Sequence, residues 1–243
     1  MSDSWTNLPD GGWGPEVPYI LDVLQAKFGI NPTDQNNPDQ VRLKLTGRTD
    51  DEDWEEFTLE LRVEREVWEI INGGEAIRHK NPGKKKEKYP SLKTGYGRFA
   101  GSIIRNANDN NRLGELLDVL RKRGTVNQAE VWHGLRLVIG KERDTFTDNS
   151  GQQRAYYPAV IVGFEGLIDD ETLASANKEA EEIVAQQREK LTEIAQESDS
   201  HAAFANKALS DLEPEITDQD LLNEVMDKGR EGFYEKVQAG AGK

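Results

Sequence analysis

Two neighbouring stretches alternate apolar and polar residues with a period of two, and this alternation constrains the fold more than any other feature of the chain. In VRLKLTGR, residues 41–48, the apolar positions are Val41, Leu43 and Leu45. WEEFTLELRVERE, residues 54–66, repeats the pattern. Because successive side chains of a strand point to opposite faces, both stretches are predicted strands with one buried and one solvated face.

Further stretches complete the predicted central unit. VWEIINGGEAIRH, residues 67–79, predicts a third strand that bulges or bends at its double glycine. GYGRFAGSIIRNA, residues 95–107, and LGELLDVLRKRG, residues 113–124, have apolar residues at helical spacing, and the last glycine is a typical helix C-cap. Two more strands are predicted in residues 129–143 and 156–166, and a long hairpin connection joins them.

The order strand, strand, strand, helix, strand, strand predicts a mostly β fold with α: an OB-like five-stranded barrel whose helix lies between the third and fourth strands. A small α+β domain with two groups of hairpins would give the same order. The barrel domain is predicted at residues 41–168. Residues 1–40 are rich in Gly, Pro, Asn and Asp, and we expect an irregular lead-in that docks on the barrel through a short strand or helix.

The C-terminal region, residues 169–243, is predicted to be acidic and helical. Its composition shifts to Ala, Glu, Gln and Lys, and helices are predicted at residues 171–197, 201–212 and 217–229. One interpretation is an appendage that forms a homo-oligomer or docks a protein partner. The other is a mobile acidic competitor for a cationic groove. Apolar helix faces favour the first, because an electrostatic tail has none.

Signatures of catalysis are lacking in the sequence. The absence of cysteine excludes disulfides, thiolate nucleophiles and Cys-ligated zinc, and the three histidines fall in three different predicted elements. The four acids at 50–53 fail the EF-hand pattern, Gly95 and Gly97 are not followed by a P-loop lysine, and no GxSxG elbow is present. We therefore predict a non-enzyme with no catalytic residue, no metal and no cofactor.

The sequence also suggests where the protein is found. No apolar run approaches the roughly 20 residues that span a bilayer, and the first twenty residues lack the regions of a signal peptide. Together with the lack of cysteine, this favours the cytoplasm, and no membrane partner is expected.

Positive charge is concentrated in one segment of an acidic chain. The net charge is −14, yet residues 78–105 contain nine Lys and Arg against one acid, a local net charge of +8. Charges more than about 10 Å apart are largely screened at 0.1 M salt, so a polyanion would still meet a positive local field. This segment mixes cations with rings, and the candidate nucleic-acid contacts in and near it are Lys80, Lys84, Lys85, Lys86, Lys88, Tyr89, Lys93, Tyr96, Arg98 and, in the preceding strand, Trp68.

Single strands are bound by cations that follow the phosphates and by flat rings on which bases stack, and this segment offers both. The alternative is a solvated lysine-rich loop, with Trp68 and Phe99 in the core. The long hairpin adds a second mixture of cations and rings, in which Arg143 and Arg154 are the candidate contacts. The acidic turn TDDED, residues 49–53, argues against this hypothesis, because it would repel phosphate unless it turns away or the ligand path shifts toward residues 78–98.

A resemblance supports the nucleic-acid hypothesis. At TGYGRFAGSI, together with the WHGLRLVIGKE and YYPAVIVG pair, the chain resembles phage-encoded proteins similar to OB-fold single-stranded-DNA-binding proteins, over about residues 40–166. The ending LLNEVMDKGREGFYEKV is similar to the helical ending of such phage proteins. The resemblance implies the host cytoplasm as location. Familiar bacterial single-stranded-DNA-binding proteins end in an acidic tip with a terminal phenylalanine that recruits partners; this sequence ends in QAGAGK, so that mode of recruitment is not expected.

Two functional hypotheses follow. The first is non-catalytic, largely sequence-independent binding of single-stranded DNA in phage replication or recombination. The alternative is a protein-interaction module that docks a phage or host recombination, replication or assembly protein. In that case the basic segment would meet an acidic protein surface.

Overall fold

The computed structural model describes residues 14–31, 34, 37–64, 66–81, 89–147, 151–211, 219–229 and 232–241. The chain forms two compact units, the first ending at Leu173 and the second beginning at Ala174. The described strands, in chain order, are β1 (Tyr19–Gly29), β2 (Arg42–Thr49), β3 (Glu56–Arg62), β4 (Trp68–Ile71), β5 (Ala76–His79), β6 (Leu135–Lys141), β7 (Asp144–Thr147), β8 (Gln153–Tyr156) and β9 (Ala159–Leu167). The described helices are α1 (Gly95–Asn106), α2 (Asn111–Arg123), α3 (Asp170–Gln196), α4 (His201–Asp211), α5 (Gln219–Met226) and α6 (Phe233–Ala241).

A five-stranded antiparallel sheet organises the first unit. The strand order is β3-β2-β1-β6-β9, and β4–β5 and β7–β8 form separate two-stranded hairpins. The predicted combination of a five-stranded sheet with helices is therefore confirmed at the level of a mixed α/β fold. The closed barrel is not confirmed, because β3 and β9 remain the two edges of an open sheet.

The central strand of this sheet is β1, inside the segment for which the sequence predicts a lead-in. Tyr19, Leu21 and Val23 are buried in alternation, and then the register shifts at a bulge between Val23 and Gln25. The bulge splits the alternation into two short pieces, which explains why no long strand is expected from the sequence. Close packing also accompanies it, because a Cβ on Gly47 of β2 would collide with the carbonyl oxygen of Asp22.

The predicted third strand at residues 67–79 is wrong as a member of the sheet. Asn72, Gly73 and Gly74 all adopt positive φ angles, of 53°, 62° and 99°, so the chain reverses instead of bulging. The product is the β4–β5 hairpin, in which Trp68 pairs with His79. The sheet therefore has five strands because β1 joins it, while residues 67–79 stay outside.

Helix α1 lies against the free edge of β9. The Ser102 hydroxyl oxygen accepts a 3.0 Å hydrogen bond from the Ile161 amide and donates to the Phe99 carbonyl at 2.7 Å. The Asn110 side chain donates to the carbonyl of Val162 at 3.2 Å, and its oxygen caps α2. These side chains bond to backbone groups on the edge strand, which an unprotected edge would offer to another chain.

The beginning of α1 lies close to the opposite edge strand. Thr94 caps the helix by accepting the Gly97 amide, and a Cβ on Gly95 would lie 3.6 Å from the nitrogen of Arg62 in β3. The helix thus runs from the end of β3 to β9. An apolar core lies between the sheet and the two helices, and its largest fully buried aromatic side chains are Phe28, Tyr96, Phe99 and Trp132.

The second unit is helical and has its own core. Helices α3, α4 and α5 confirm the three helices predicted there, with the break predicted at residues 198–200, whereas α6 is not predicted. The core includes Leu191, Phe204, Leu221 and Phe233. A separate core of this kind distinguishes the region from a purely electrostatic tail.

Candidate nucleic-acid interface

The predicted contacts divide into three groups in the structure. Lys84, Lys85, Lys86 and Lys88 lie outside the described residues. Exposed positions are held by Lys80, Tyr89, Lys93, Arg143 and Arg154. Tyr96 and Trp68 are buried, and Arg98 is partly buried in a contact between α1 and the β7–β8 hairpin.

Tyr96 cannot be the stacking platform that the sequence predicts, because its ring is fully buried. Its hydroxyl donates to the Val126 carbonyl and accepts a 3.1 Å hydrogen bond from the Trp132 indole. Phe28 lies edge-on to the Tyr96 ring at 5.7 Å between centroids. Burial raises the pKa of Tyr96 far above its usual range. The side chain is therefore a hydrogen-bonded part of the core.

Trp68 is also a core residue, with 3% of its surface exposed. Its indole donates to a Glu64 carboxylate oxygen at 2.7 Å, and the other oxygen of Glu64 accepts the Ser91 amide at 3.0 Å. Glu64 thereby ties the β4–β5 hairpin to the segment just before α1. The aromatic residue at the start of β4 stabilises this connection and offers no open face for a base.

A cluster of four residues joins α1 to the hairpin, and we call it the helix–hairpin site: Arg98, Asp144, Arg154 and Tyr156. Arg98 forms an ion pair with Asp144, and its guanidinium carbon lies 5.3 Å from the centroid of the Tyr156 ring. The Tyr156 hydroxyl donates to the same carboxylate at 2.8 Å. A cation, an anion and a ring are thus in mutual contact.

The register of the hairpin places the fourth member. Asp144 pairs with Tyr156 and Phe146 with Arg154 across the two strands. Since side chains two residues apart on a strand share a face, Arg154 lies on the face that carries Tyr156. Arg143 directly precedes β7 and is exposed. The structure therefore brings Arg98 and Arg154 to one side of the hairpin.

A second ion pair supports the same helix–hairpin contact. Arg105, two turns after Arg98 on α1, donates to Glu142 at 2.8 Å. At the other end, Lys93 is exposed directly before Thr94, and Tyr89 is 58% exposed. The exposed residues Tyr89 and Lys93 thus precede α1 in the chain, and the hairpin contacts the same helix through side chains.

Hydrogen bonding stabilises the charged form of Asp144. The Tyr156 hydroxyl, the Thr145 amide and the Arg98 guanidinium, in that order of importance, lower the pKa of the Asp144 carboxyl. Burial and the neighbouring Asp144 raise the pKa of Tyr156. At neutral pH the site therefore contains a carboxylate and a neutral phenol that can donate.

The acidic turn at residues 49–53 has a structural role. Asp50 accepts the Ile20 amide at 2.6 Å, and Asp51 accepts the amides of Glu16 and Asp53, both at 3.0 Å. Two of the acids thus fasten the segment that leads into β1. Among the described residues, no group of three or more acids and histidines is placed to hold a metal ion.

Sequence reasoning missed a buried ionic cluster on the polar face of β2 and β3. Arg42 has no exposed surface and pairs with Asp34 and, at 2.5 Å, with Glu60, while Arg62 pairs with Asp34 at 2.8 Å. Burial, followed by the charge of Arg42, lowers the pKa of Arg62. Asp34 comes from the β1–β2 connection, which therefore covers this end of the face. The polar alternation of β2 and β3 indicates a solvated face, so the cluster leaves no sequence signal of burial.

Asp144 was missed as a member of a site, and Tyr156, although one of the rings in the basic and aromatic mixture of the long hairpin, was not among the predicted contacts. Nothing in the sequence marks them beyond their place in a hairpin connection that contains Arg and aromatic residues, and in the structure they pair at the open end of the hairpin. Pairing across that hairpin depends on its register, which the sequence does not specify. Their contact with Arg98 bridges residues more than forty positions apart, and only the fold brings it about.

No family model, no curated protein and no solved structure matches the chain. A functional proposal therefore depends on the geometry of the site. In the part of the chain that the structure describes, no helix is both long and apolar enough to cross a membrane.

Proposed function

We propose that this chain is a non-catalytic protein that binds single-stranded DNA largely independently of sequence, in phage DNA replication or recombination. The observation that carries the proposal is the helix–hairpin site, where two arginines and a tyrosine ring share one side of the β7–β8 hairpin. Arginines would contact phosphates and the ring would stack on a base. Stacking contributes about 1–3 kcal/mol per base and accepts any base.

The surroundings of the site extend the same chemistry. Lys93 and Tyr89 are exposed before α1, and Tyr157, next to Tyr156, is 38% exposed. Cations and accessible rings thus occur on both of the segments that meet at the site. In the proposal the bound strand follows the helix–hairpin junction, with its phosphates on the arginines and the lysine.

The order of strands also supports the proposal. In an OB-type sheet the helix follows the third strand, and the connection of the last two strands flanks the oligonucleotide groove. Here α1 and α2 lie between β3 and β6, the third and fourth strands of the sheet in chain order, after the β4–β5 hairpin. The connection between β6 and β9 contains the β7–β8 hairpin. We therefore include in the proposal that the β7–β8 hairpin borders the oligonucleotide-binding surface, as the corresponding connection does in OB folds.

Fluorescence anisotropy with a labelled oligothymidine of about 20 nucleotides, longer than one binding site, tests the function. Binding of the full chain should weaken between about 50 mM and about 200 mM salt, because phosphate contacts release counterions. The double variant Lys93→Ala/Arg154→Ala should lower the salt slope by about 1.4, since each single-strand contact contributes about 0.7. That change corresponds to an affinity loss of about 25-fold at 0.1 M salt.

The matched control is Arg112→Ala/Arg121→Ala, which removes two exposed arginines of α2 with the same change in charge. It should leave the slope unchanged. Absence of binding at the lower salt concentration, or binding indifferent to salt, refutes the proposed function. An equal loss in both double variants would refute the location.

Self-association or a protein partner of residues 169–243 stays a prediction of the sequence. Sedimentation velocity of the full chain tests the first of these, and a monomer at all concentrations would contradict self-association.

A further inference from the structure

We propose that Asp144 occupies, in the free protein, the position of a backbone phosphate of the bound strand, so that the carboxylate and the nucleic acid compete for Arg98. This inference rests on the proposed function and adds its regulation. The hairpin would then contain its own anionic competitor. Binding would exchange one oxyanion for another on the same donors.

The donors around the carboxylate carry the inference. One carboxylate oxygen of Asp144 pairs with the Arg98 guanidinium and accepts the Tyr156 hydroxyl at 2.8 Å. The other accepts the Thr145 amide at 2.7 Å. A guanidinium and a hydroxyl converging on one oxygen would serve a phosphate oxygen equally well, because guanidinium geometry matches carboxylates and phosphates alike.

The carboxylate uses only part of the capacity of Arg98. The Nε atom of Arg98 is buried and has no hydrogen-bond partner among the residues that the structure describes. A phosphate has more oxygens than a carboxylate and can engage both Nε and an Nη atom in a bidentate pair. The guanidinium therefore has an unused donor that would favour the exchange.

The site is reachable from solvent. The side chains of Arg98 and Asp144 are 21% and 29% exposed. Asp144 begins a strand of only four residues in a hairpin outside the main sheet, so its displacement leaves the ladder of the five-stranded sheet intact. Local opening of such a hairpin disturbs few buried contacts.

The decisive variant is Asp144→Asn in the full chain, because the amide keeps the shape and removes the negative charge. If Asp144 competes with phosphate, the variant should bind the same oligothymidine about 5-fold more tightly at 0.1 M salt. Its salt slope should steepen by about 0.7, one additional phosphate contact. The control Asp118→Asn removes an exposed α2 acid that pairs with Arg121 at 3.5 Å, and it should change the affinity less than about 2-fold.

A double-mutant cycle separates direct competition from a change in net charge. In an Arg98→Ala background, Asp144→Asn should give no gain beyond that of Asp118→Asn, because the residue for which it competes is absent. A gain that persists without Arg98 would overturn the inference, as would equal effects of Asp144→Asn and Asp118→Asn. Circular dichroism of each variant checks that the fold is retained.

The two proposals fail in different ways. Failure of the wild-type chain to bind at low salt would refute the proposed function. Wild-type binding that Asp144→Asn leaves unchanged or weakens would refute only the competition, and the function would stand.

Discussion

The hydroxyl of Ser102 accepts a hydrogen bond from a buried backbone amide of the edge strand β9. Replacing Ser102 with alanine tests how much this bond stabilises the edge of the open sheet. Ser102 and Ile161 both have no exposed surface. The Ile161 amide donates to the hydroxyl at 3.0 Å. Ser102→Ala removes this acceptor at a position where neither residue is exposed to solvent.

The size of the effect follows from the burial of the amide. An unsatisfied buried donor costs about 1–3 kcal/mol. Alanine is a better helix former than serine in the middle of α1 and returns a few tenths of a kcal/mol, about 0.5. We therefore expect a net destabilisation of about 1.5 kcal/mol. Loss of the hydrogen bond from Ser102 to the Phe99 carbonyl adds less to this cost, because the carbonyl lies inside α1 and takes part in the hydrogen bonds of the helix.

Urea unfolding followed by tryptophan fluorescence measures this change in the first unit, because all five tryptophans precede residue 133. Asn110→Asp is the comparison: it keeps the oxygen that caps α2 but loses the bond to the Val162 carbonyl, which is exposed and can bind water. Its cost should stay below that of Ser102→Ala. A loss below about 0.5 kcal/mol for Ser102→Ala, or unchanged hydrogen-exchange protection of the Ile161 amide, would refute the reasoning.

Three further predictions concern the buried polar groups and the helix–hairpin site. Tyr96→Phe should cost about 1–3 kcal/mol in urea unfolding, because the Trp132 indole loses its acceptor, and it should leave oligothymidine affinity unchanged; weaker binding by the folded variant would contradict its assignment to the core. Arg42→Met should cost about 3–5 kcal/mol, as breaking a buried ion pair does, and a neutral result would show that the cluster is not stabilising. Folding lowers the pKa of Asp144, so its contribution to stability is present above the unfolded pKa of about 3.9 and is lost as the pH falls through the folded pKa. Between about pH 5 and about pH 2.5 the melting temperature should therefore fall less for Asp144→Asn than for the wild type. Equal falls in melting temperature would contradict this.

Regular alternation and helical spacing were enough to locate β2, β3, α1, α2, β6 and the helices α3, α4 and α5. Each of these elements has an uninterrupted pattern and a recognisable end, such as Gly124, which follows α2 with a φ of 145°. Strand β1 was not located as part of the sheet because its bulge breaks the pattern after Val23. Residues 67–79 were expected to form one strand that bulges or bends at its double glycine, but three successive positive φ angles turn them into a hairpin. A glycine pair marks a bulge and a sharp bend alike, so the sequence does not distinguish the two outcomes.

The candidate site was only partly predictable, for a different reason. Tyr96 and Arg98 are two residues apart, yet one points into the core and the other toward the hairpin, because positions two apart lie on different faces of a helix. Composition treats both as members of one basic and aromatic segment. The helix predicted from the sequence at residues 95–107 places Tyr96 and Arg98 on different faces, so it could have distinguished the core residue from the surface residue.

Charge counted along the chain differs from charge available in space. Residues 78–105 have a net charge of +8, but two of their cations are paired: Arg98 with Asp144 of the hairpin, and Arg105 with Glu142, two residues before β7. Arg78 likewise pairs with Glu69 in the neighbouring strand at 2.7 Å. Acids that are distant in sequence thus neutralise part of the segment locally. If nucleic acid binds here, it must displace some of these acids, and its affinity then depends on the difference between two anions on one guanidinium. Removing a single carboxylate should therefore strengthen binding measurably, even though the chain as a whole stays strongly acidic.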